Sequence, residues 1–460
     1  MAPVSHNKIT IVGAGLTGPL MAIMLARRGF VVDIFEGGGD LRREGVRGLR
    51  SINLTIAERG LAALRKIGLD EEALRLCTPL RARAVHDDSG RVELMPYGVR
   101  GGDVLYAISR ADLTKLLLDA AEHEPRVNLH FHHRCTDIDK HNAIAVFARG
   151  ETSAIRTVHS DLLIGADGVN SVVRRRMQRG EFVDHSQHYV PWRYKELTIT
   201  ATATEVGGFD REALHVWPRG ELMMFALPNL DGSFNGVIVF PARGAEGPAA
   251  PYGGGDLRDV FVRNFADVVP HIPNLAEELR ERPAAAFPTL KTSSWFYRDK
   301  VVLIGDACHA VVPFYGQGMN AGLEDCVALD ECLAAYGSDR ASALAAYQER
   351  RRCHTDVLAE LSIENFAELR DTGRPSIAAK KKIMLAVSRV TRGKILPLSV
   401  MVSHTTMPYG ECVRRARRQE QIARSLGLSI AVGALVAAAN LKDAFVTANR
   451  RLQATSRVRT

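Results

Sequence analysis

The sequence predicts a mixed α/β protein: a parallel sheet wound with helices, an antiparallel sheet inserted into it, and a helical C-terminal region. Three observations predict it. Short apolar runs at 9–12, 31–35, 162–164 and 301–304 each end at a glycine or an acidic residue, as buried parallel strands do. Between 196 and 240 the pattern changes to short strands separated by turn residues such as Asn229 to Ser233. From about Gly322 to Asp371 the periodicity is helical.

The elements follow in order. Ile9 to Val12 is the first strand, and Gly13-Ala14-Gly15-Leu16-Thr17-Gly18 follows it directly. Gly13 permits a tight turn, Gly15 lets the backbone approach a pyrophosphate, and Gly18 lets the next helix pack on the strand. That helix is expected from about Leu16 to Arg28, with its N-terminus favouring phosphate charge. Val31 to Phe35 is the second strand. Glu36 ends it, about 20 residues beyond the glycines, where a carboxylate accepts hydrogen bonds from a ribose hydroxyl. Residues 1–180 are expected to alternate strand and helix. Glu196 to Thr204, His215 to Trp217, Leu222 to Leu227 and Gly236 to Phe240 are expected as strands of the inserted sheet, and Arg243 to Gly255 as a loop. The boundaries read as 1–180, 181–295 for the insert, 296–375 for the return to the first domain with a long helix, and 376–460 for further helices.

Two later segments repeat the strand-to-glycine pattern: Leu163-Ile164-Gly165-Ala166-Asp167-Gly168 and Val301-Val302-Leu303-Ile304-Gly305-Asp306-Ala307. A carboxylate at Asp306 can accept from a ribityl hydroxyl; Asp167 is either a ligand-facing acid or a turn residue. Gly316-Gln317-Gly318-Met319-Asn320 then opens a helix whose N–H groups would favour an anionic, reduced flavin ring. With the first segment, the order and spacing read as one FAD site in a Rossmann-type domain.

Composition bounds the rest. At 460 residues the chain is too long for one ordinary core. The net charge of +8 is spread over scattered Lys and Arg, with no zinc-finger or RNA-binding motif, so anionic small molecules fit better than nucleic acid. Seven Cys with no CxxC pair suit a reducing cytoplasm and exclude a disulfide framework or a structural zinc site. The first strand begins too early for a signal peptide. Ser425 to Leu441 is an uncharged run of seventeen residues, at the lower limit for a membrane span. It reads as a packed helix or, alternatively, as a membrane contact. Nothing in the chain fixes its oligomeric state.

From Lys8 to Asp330 the chain resembles the FAD-dependent aromatic hydroxylases of the p-hydroxybenzoate hydroxylase group. Within that group it is similar to the kynurenine 3-monooxygenase family. The stretches that carry this are Gly18-Pro19-Leu20, Leu49-Arg50-Ser51-Ile52-Asn53-Leu54, Pro96-Tyr97-Gly98, Tyr194-Lys195-Glu196-Leu197-Thr198-Ile199, Trp217-Pro218-Arg219 and the long run Val312 to Cys326. The resemblance implies noncovalent FAD held by Gly13, Gly15, Thr17, Gly18, Glu36, Thr55, Arg110, Cys135, Asp167, Asp306, Gly318, Met319 and Asn320. It implies NADPH as reductant, with no separate NADPH domain, and O₂ reacting at the flavin to give a C(4a)-hydroperoxide.

It also implies a small aromatic amino-acid substrate. Arg83 and Tyr97 would bind its carboxylate, Asn365 would assist, and Leu222, Met224, Phe240, Pro313 and Phe314 would wall its ring. One position departs: where the family has a Tyr in a Pro-Leu-Tyr context, this chain has Pro397-Leu398-Ser399. Ser399 is shorter, so a water bridges the gap, Tyr409 substitutes, or the substrate differs. No side chain is expected as a catalytic nucleophile and no metal site is expected. His309, beside Asp306, is expected to be structural, and Cys308 and Cys326 to lie in the core. Two competing readings remain: a related FAD hydroxylase acting on a kynurenine derivative or another aromatic acid, and a membrane-attached flavoprotein regulated by redox state.

Overall fold

The computed structural model describes residues 8–45, 53–99, 102–150, 154–242, 257–370, 383–384, 386–388, 391 and 393–425. The expected loop at 243–255 falls outside them, as do 49–52 and the uncharged run beyond Ser425.

The nucleotide sheet has six strands, in the order Phe296–Tyr297, Val301–Leu303, Leu162–Gly165, Lys8–Val12, Val31–Phe35, Val127–His130. All neighbours run parallel except the Phe296–Tyr297 edge. Consecutive residues such as Leu162, Leu163 and Ile164 are all buried, because both faces of the sheet are covered. The helix Thr17–Arg27 is buried from Gly18 to Ala26, so it reads as apolar all round rather than amphipathic. On the other side, Phe147 stacks on Phe35 with ring centroids 4.1 Å apart. Phe147 belongs to a three-stranded antiparallel meander, His133–Asp139, Ile144–Arg149 and Ile155–His159. This corrects the expected strand–helix alternation through residue 180: the segment from 133 to 159 contains strands alone.

The inserted sheet has seven strands, in the order Ala285–Thr292, His185–Ile199, Phe234–Pro241, Leu222–Pro228, Ala213–Arg219, Ala82–His86, Val92–Pro96. The strand expected to run to Thr204 ends at Ile199. The Thr200 N–H turns to the His271 carbonyl at 2.9 Å, and Thr202–Glu205 is a short helix. Ala82–His86 pairs parallel with Ala213–Arg219, with Arg83 opposite Leu214. Residues 82–96 therefore cross from the first segment into the inserted sheet.

The two faces of this sheet bury different sets. Trp217, Leu222, Met224 and Phe240 pack with residues of the helices Leu257–Asn264 and Leu275–Glu281. Val216, Met223, Val237 and Val239 pack instead with Phe287, Phe314 and Phe366. Each fully buried side chain of this size stabilises by roughly 1.5–3 kcal/mol. The C-terminal part is helical, through Gly318–Tyr336, Arg340–Arg370, Leu398–His404 and Tyr409–Ser425. Among the described residues no helix is long and apolar enough to cross a membrane. Cys308 and Cys326 are buried and unbridged, as their apolar contexts predict.

Candidate active site

The first glycine segment forms the turn its spacing predicts. Gly13 has φ +105°, and a Cβ there would lie 2.4 Å from the Ala166 carbonyl oxygen. A Cβ on Gly18 would lie 2.0 Å from the Gly13 oxygen, so helix and strand meet without space for a side chain. Gly15 differs, because a Cβ there meets no protein atom within 4 Å. The protein's own packing therefore leaves space for a side chain at 15, as it would where a ligand rather than the protein approaches the backbone. This cradle fits a pyrophosphate at the N-terminus of Thr17–Arg27.

Glu36 ends the second strand as expected. Its carboxylate accepts from the Ala14 N–H at 2.9 Å and the Gly38 N–H at 2.8 Å, which fixes its orientation and leaves lone pairs for hydroxyl donors. The backbone beside it belongs to the strand carrying Cys135: the His133 N–H donates to the Glu36 carbonyl at 2.7 Å. Cys135 is buried, and burial with the nearby Asp167 charge pushes its thiol up to about 12. It is a neutral wall residue, not a thiolate.

Asp167 caps the helix Val172–Met177. Its carboxylate accepts from the Val172 N–H at 2.7 Å, the Val173 N–H at 3.2 Å and the Ser171 hydroxyl. Of the two roles open to Asp167 in the sequence, the turn role is occupied. Arg174, on that helix, donates to the Val169 carbonyl and to the Ala307 carbonyl, each at 2.8 Å. It thereby joins the second glycine segment to the third.

In the third segment Gly305 has φ +62°, and Asp306 starts the short helix Asp306–His309. The Asp306 side chain is exposed. Crowding by protein raises its carboxyl, while the charges of His309 and Arg110 act to lower it. Arg110, at the start of the helix Arg110–Glu122, is close enough for its charge to act on Asp306. Thr17 packs against the same place: Cβ atoms on Gly305 and Gly322 would fall 3.0 and 2.9 Å from its methyl.

The helix Gly318–Tyr336 begins after Gly316, at φ +65°. Its first-turn N–H groups, from Gly318, Met319 and Asn320, have no intrahelical acceptors. The Asn320 side chain is committed elsewhere. Its amide donates to the Thr55 and Gly316 carbonyls, each at 2.8 Å, and its oxygen accepts from the Ala57 N–H at 2.9 Å. Asn320 and Thr55 thus build the turn, leaving the Asn320 backbone for a ligand.

Beneath that helix lies a buried ionic network the sequence did not reveal. Asp325 is fully buried and accepts from the Gly305 N–H at 3.0 Å, from Arg351 at 2.7 Å and from His309. Burial works to raise its carboxyl, but His309 and Arg351 together hold it below the usual range. His309 is structural, as expected. Cys308, His309 and Asp325 bring three potential metal ligands together. Arg351 already occupies Asp325, and burial keeps the Cys308 thiol far above its ordinary value, so the chemistry disfavours a cation.

Arg83 and Tyr97, both expected at the substrate, lie together. The Arg83 Cζ lies 5.7 Å from the centre of the Tyr97 ring, and the buried Arg83 Nε has no hydrogen-bond partner. Burial raises the Tyr97 phenol, against the pull of Arg83. Asn365 donates to the Phe314 carbonyl at 2.6 Å, which ties the long helix to the turn Pro313–Tyr315. Tyr315 feels the charges of Glu368, Arg83 and Glu364 as well as its own burial. His404 lies against the Tyr97 backbone and near Asp103. Neither Tyr315 nor His404 was singled out as a site residue: Tyr315 lies within the run Val312 to Cys326, which was used only for the resemblance, and His404 falls in no motif.

Two expectations change. Leu222, Met224 and Phe240 do not wall this site, because they point to the opposite face of the sheet. Met223 and Val239 lie on the Phe314 face instead. Tyr409 does not replace the missing tyrosine: it is buried, and its hydroxyl donates to Gln317 at 3.2 Å. Ser399 is exposed in the first turn of Leu398–His404, on the helix that carries His404.

A glycine cradle at a helix N-terminus, a ribose-type carboxylate and a third strand ending in Gly-Asp define a flavin-binding fold. A family model described as an FAD binding domain matches residues 6–362, which include all three segments. The chain is 44% identical over 448 residues to a kynurenine 3-monooxygenase of Salinispora arenicola, covering 95% of this chain and 97% of that protein. It is 43% identical over 460 residues to one of Salinispora tropica, covering 98% and 99%. The chain belongs to the kynurenine 3-monooxygenase family.

Solved structures share the fold. A variant of 2-methyl-3-hydroxypyridine-5-carboxylic acid oxygenase superposes with a TM-score of 0.66 at 21% identity, covering 85% of this chain and 99% of that one. PqsL of Pseudomonas aeruginosa, in complex with 2-aminobenzoylacetate, gives 0.62 at 22%, covering 80% and 97%.

Proposed function

We propose that this chain hydroxylates L-kynurenine beside its ring amino group, giving 3-hydroxykynurenine, with bound FAD, NADPH and O₂. The observation that supports the substrate reading is that Arg83 lies beside the Tyr97 ring and its charge acts on Tyr315, in the turn that Asn365 holds. Bound FAD would supply the redox chemistry, with NADPH as the two-electron donor and O₂ as the oxygen source, one oxygen atom going to the ring and the other to water.

The side chains bind, orient and shield. Arg83, half-buried and with a buried, unpartnered Nε, offers its guanidinium to the substrate carboxylate. Tyr97 and Tyr315 keep their protons, since burial raises both phenols, and so act as hydrogen-bond donors. Met223, Val239, Phe287, Phe314 and Phe366 form a dry apolar wall, which keeps water from the reacting centre. The first-turn N–H groups of Gly318–Tyr336 favour negative charge on the reduced ring. No nucleophilic side chain is required.

The test is incubation with NADPH, O₂ and L-kynurenine, with product identified by chromatography and mass. Kynurenine-stimulated NADPH oxidation and the 3-hydroxylated product are expected. Ser399 favours a second reading, a related aromatic acid as substrate. Hydroxylation of such an acid with no reaction on kynurenine would establish it instead.

A further inference from the structure

We propose that Tyr409 is a positioning residue for the flavin, acting through Gln317 to fix the start of the helix Gly318–Tyr336. Tyr409 is fully buried. Its ring lies under the Arg59 guanidinium, whose Cζ is 3.9 Å from the ring centre. Its hydroxyl donates to Gln317 Oε1 at 3.2 Å. Gln317 is itself 1% exposed and immediately precedes Gly318.

Arg59 ties this pair to the rest of the molecule. It donates to Glu324 at 3.0 Å and to the Met407 carbonyl at 3.0 Å, beside Tyr409 in the chain. Glu324 also pairs with Arg351, which holds Asp325, and Asp325 accepts from the Gly305 N–H. One connected set of polar contacts thus runs from the C-terminal helices to both flavin-facing turns, at Gly305 and at Gly318. Most of it is buried charge, which would be costly to leave unpaired. The Tyr409 hydroxyl is the exception. It is neutral, and it alone in this set reaches the residue that leads into the helix start.

The consequence is geometric. A helix N-terminus stabilises charge only within its first turn, so a small displacement there changes the field at the ring. Gly316 sits in the left-handed region just before Gln317, where the backbone could otherwise pivot. The Asn320 amide holds the Gly316 carbonyl at 2.8 Å, and the Tyr409 hydroxyl adds a restraint on the next residue, through the Gln317 side chain.

This rests on the flavin placement proposed above, so the experiment separates the two. Tyr409→Phe keeps the ring, the packing and the stacking on Arg59, and removes one hydrogen bond. Such a bond corresponds to about two- to tenfold in an equilibrium. FAD titration of Tyr409→Phe apoprotein should show weaker binding by about that factor. Its flavin midpoint potential should fall, and more of the oxygen consumed with kynurenine should appear as H₂O₂. Gln317→Leu should give the same potential shift, and the double variant should add little to either. Gly318→Val tests the placement itself, since Val311 is the one neighbour within 4 Å of a Cβ there, at 3.5 Å. If Gly318→Val alters flavin affinity while Tyr409→Phe leaves affinity, potential and coupling unchanged, the positioning role is overturned. If Gly318→Val also leaves the flavin unchanged, the placement fails and the positioning role with it.

Discussion

Arg174 and Ala307 are joined across the nucleotide sheet: the buried guanidinium of one donates to the carbonyl of the other at 2.8 Å. Arg174 is 2% exposed, and it holds the turn after Asp167 against the turn after Asp306. Arg174→Ala would leave both the Val169 and Ala307 carbonyls without this donor. A loss of about 2–4 kcal/mol in stability is expected, together with weaker FAD retention. Denaturant unfolding and flavin content measure the two. An unchanged midpoint with full flavin content would show that the turns hold without it.

Gly15 and Gly18 should fail in different ways. Gly15→Val has space within the protein, so the variant should fold and purify without FAD. Gly18→Val drives a Cβ into the Gly13 carbonyl and should not fold stably. Circular dichroism separates folding from flavin loss. A yellow Gly15→Val protein with full flavin content would count against the pyrophosphate assignment.

Arg83→Ala should weaken kynurenine binding by about 30- to 1000-fold, as expected when one partner of a buried charge-assisted pair is lost, roughly 2–4 kcal/mol. Flavin content should not change. A variant with normal kynurenine affinity would remove Arg83 from the substrate site.

Ser399 is exposed, so Ser399→Tyr should change stability by no more than about 0.5 kcal/mol. If a water now bridges to the substrate, the longer hydroxyl should tighten kynurenine binding several-fold, worth about 0.5–1.5 kcal/mol. Weaker binding of kynurenine by the variant would argue against a bridged pocket.

Acid should destabilise the inserted sheet through His215. The ring is buried, with Nδ1 2.8 Å from His86 and Nε2 2.9 Å from the Asp210 carbonyl. Burial lowers it to about 4. A histidine held neutral in this way contributes stability that is fully present above the unfolded value, about 6.5, and is lost as pH falls towards 4. The shift corresponds to on the order of 3 kcal/mol. Asp267, held below the usual range by His86 and Trp217 despite its burial, loses its contribution in the same direction. Thermal unfolding between pH 7 and pH 4 should show this decline, and His215→Asn should flatten it. An equally steep decline in the variant would assign the acid sensitivity elsewhere.

The turns were legible in the sequence because their geometry demands particular residues. Gly13 and Gly18 admit no Cβ, and Glu36 must follow the second strand. The walls of the substrate end were not legible. The strand Leu222–Pro228 is apolar on both faces, so no alternation distinguishes Met223 from Met224. Asp325 and Arg351 lie on helices where charged residues ordinarily face water, and only the folded packing shows them buried. Asp167 and Asn320 were singled out as cofactor-binding residues, whereas in the fold their side chains hold the protein to itself.

The parallel pairing of Ala82–His86 with Ala213–Arg219 also governs how the chain is made. The strand that bears Arg83 leaves the ribosome long before its partner exists, and until then its edge is open to other chains. Folding must close a loop of more than a hundred residues before this contact gives anything back, which marks it as a slow step. A fragment cut at 181–295 would lack two strands of its own sheet, including the one that bears Arg83. The substrate-facing sheet is therefore not a transplantable module, and recombination between relatives should succeed only where both pieces are exchanged together.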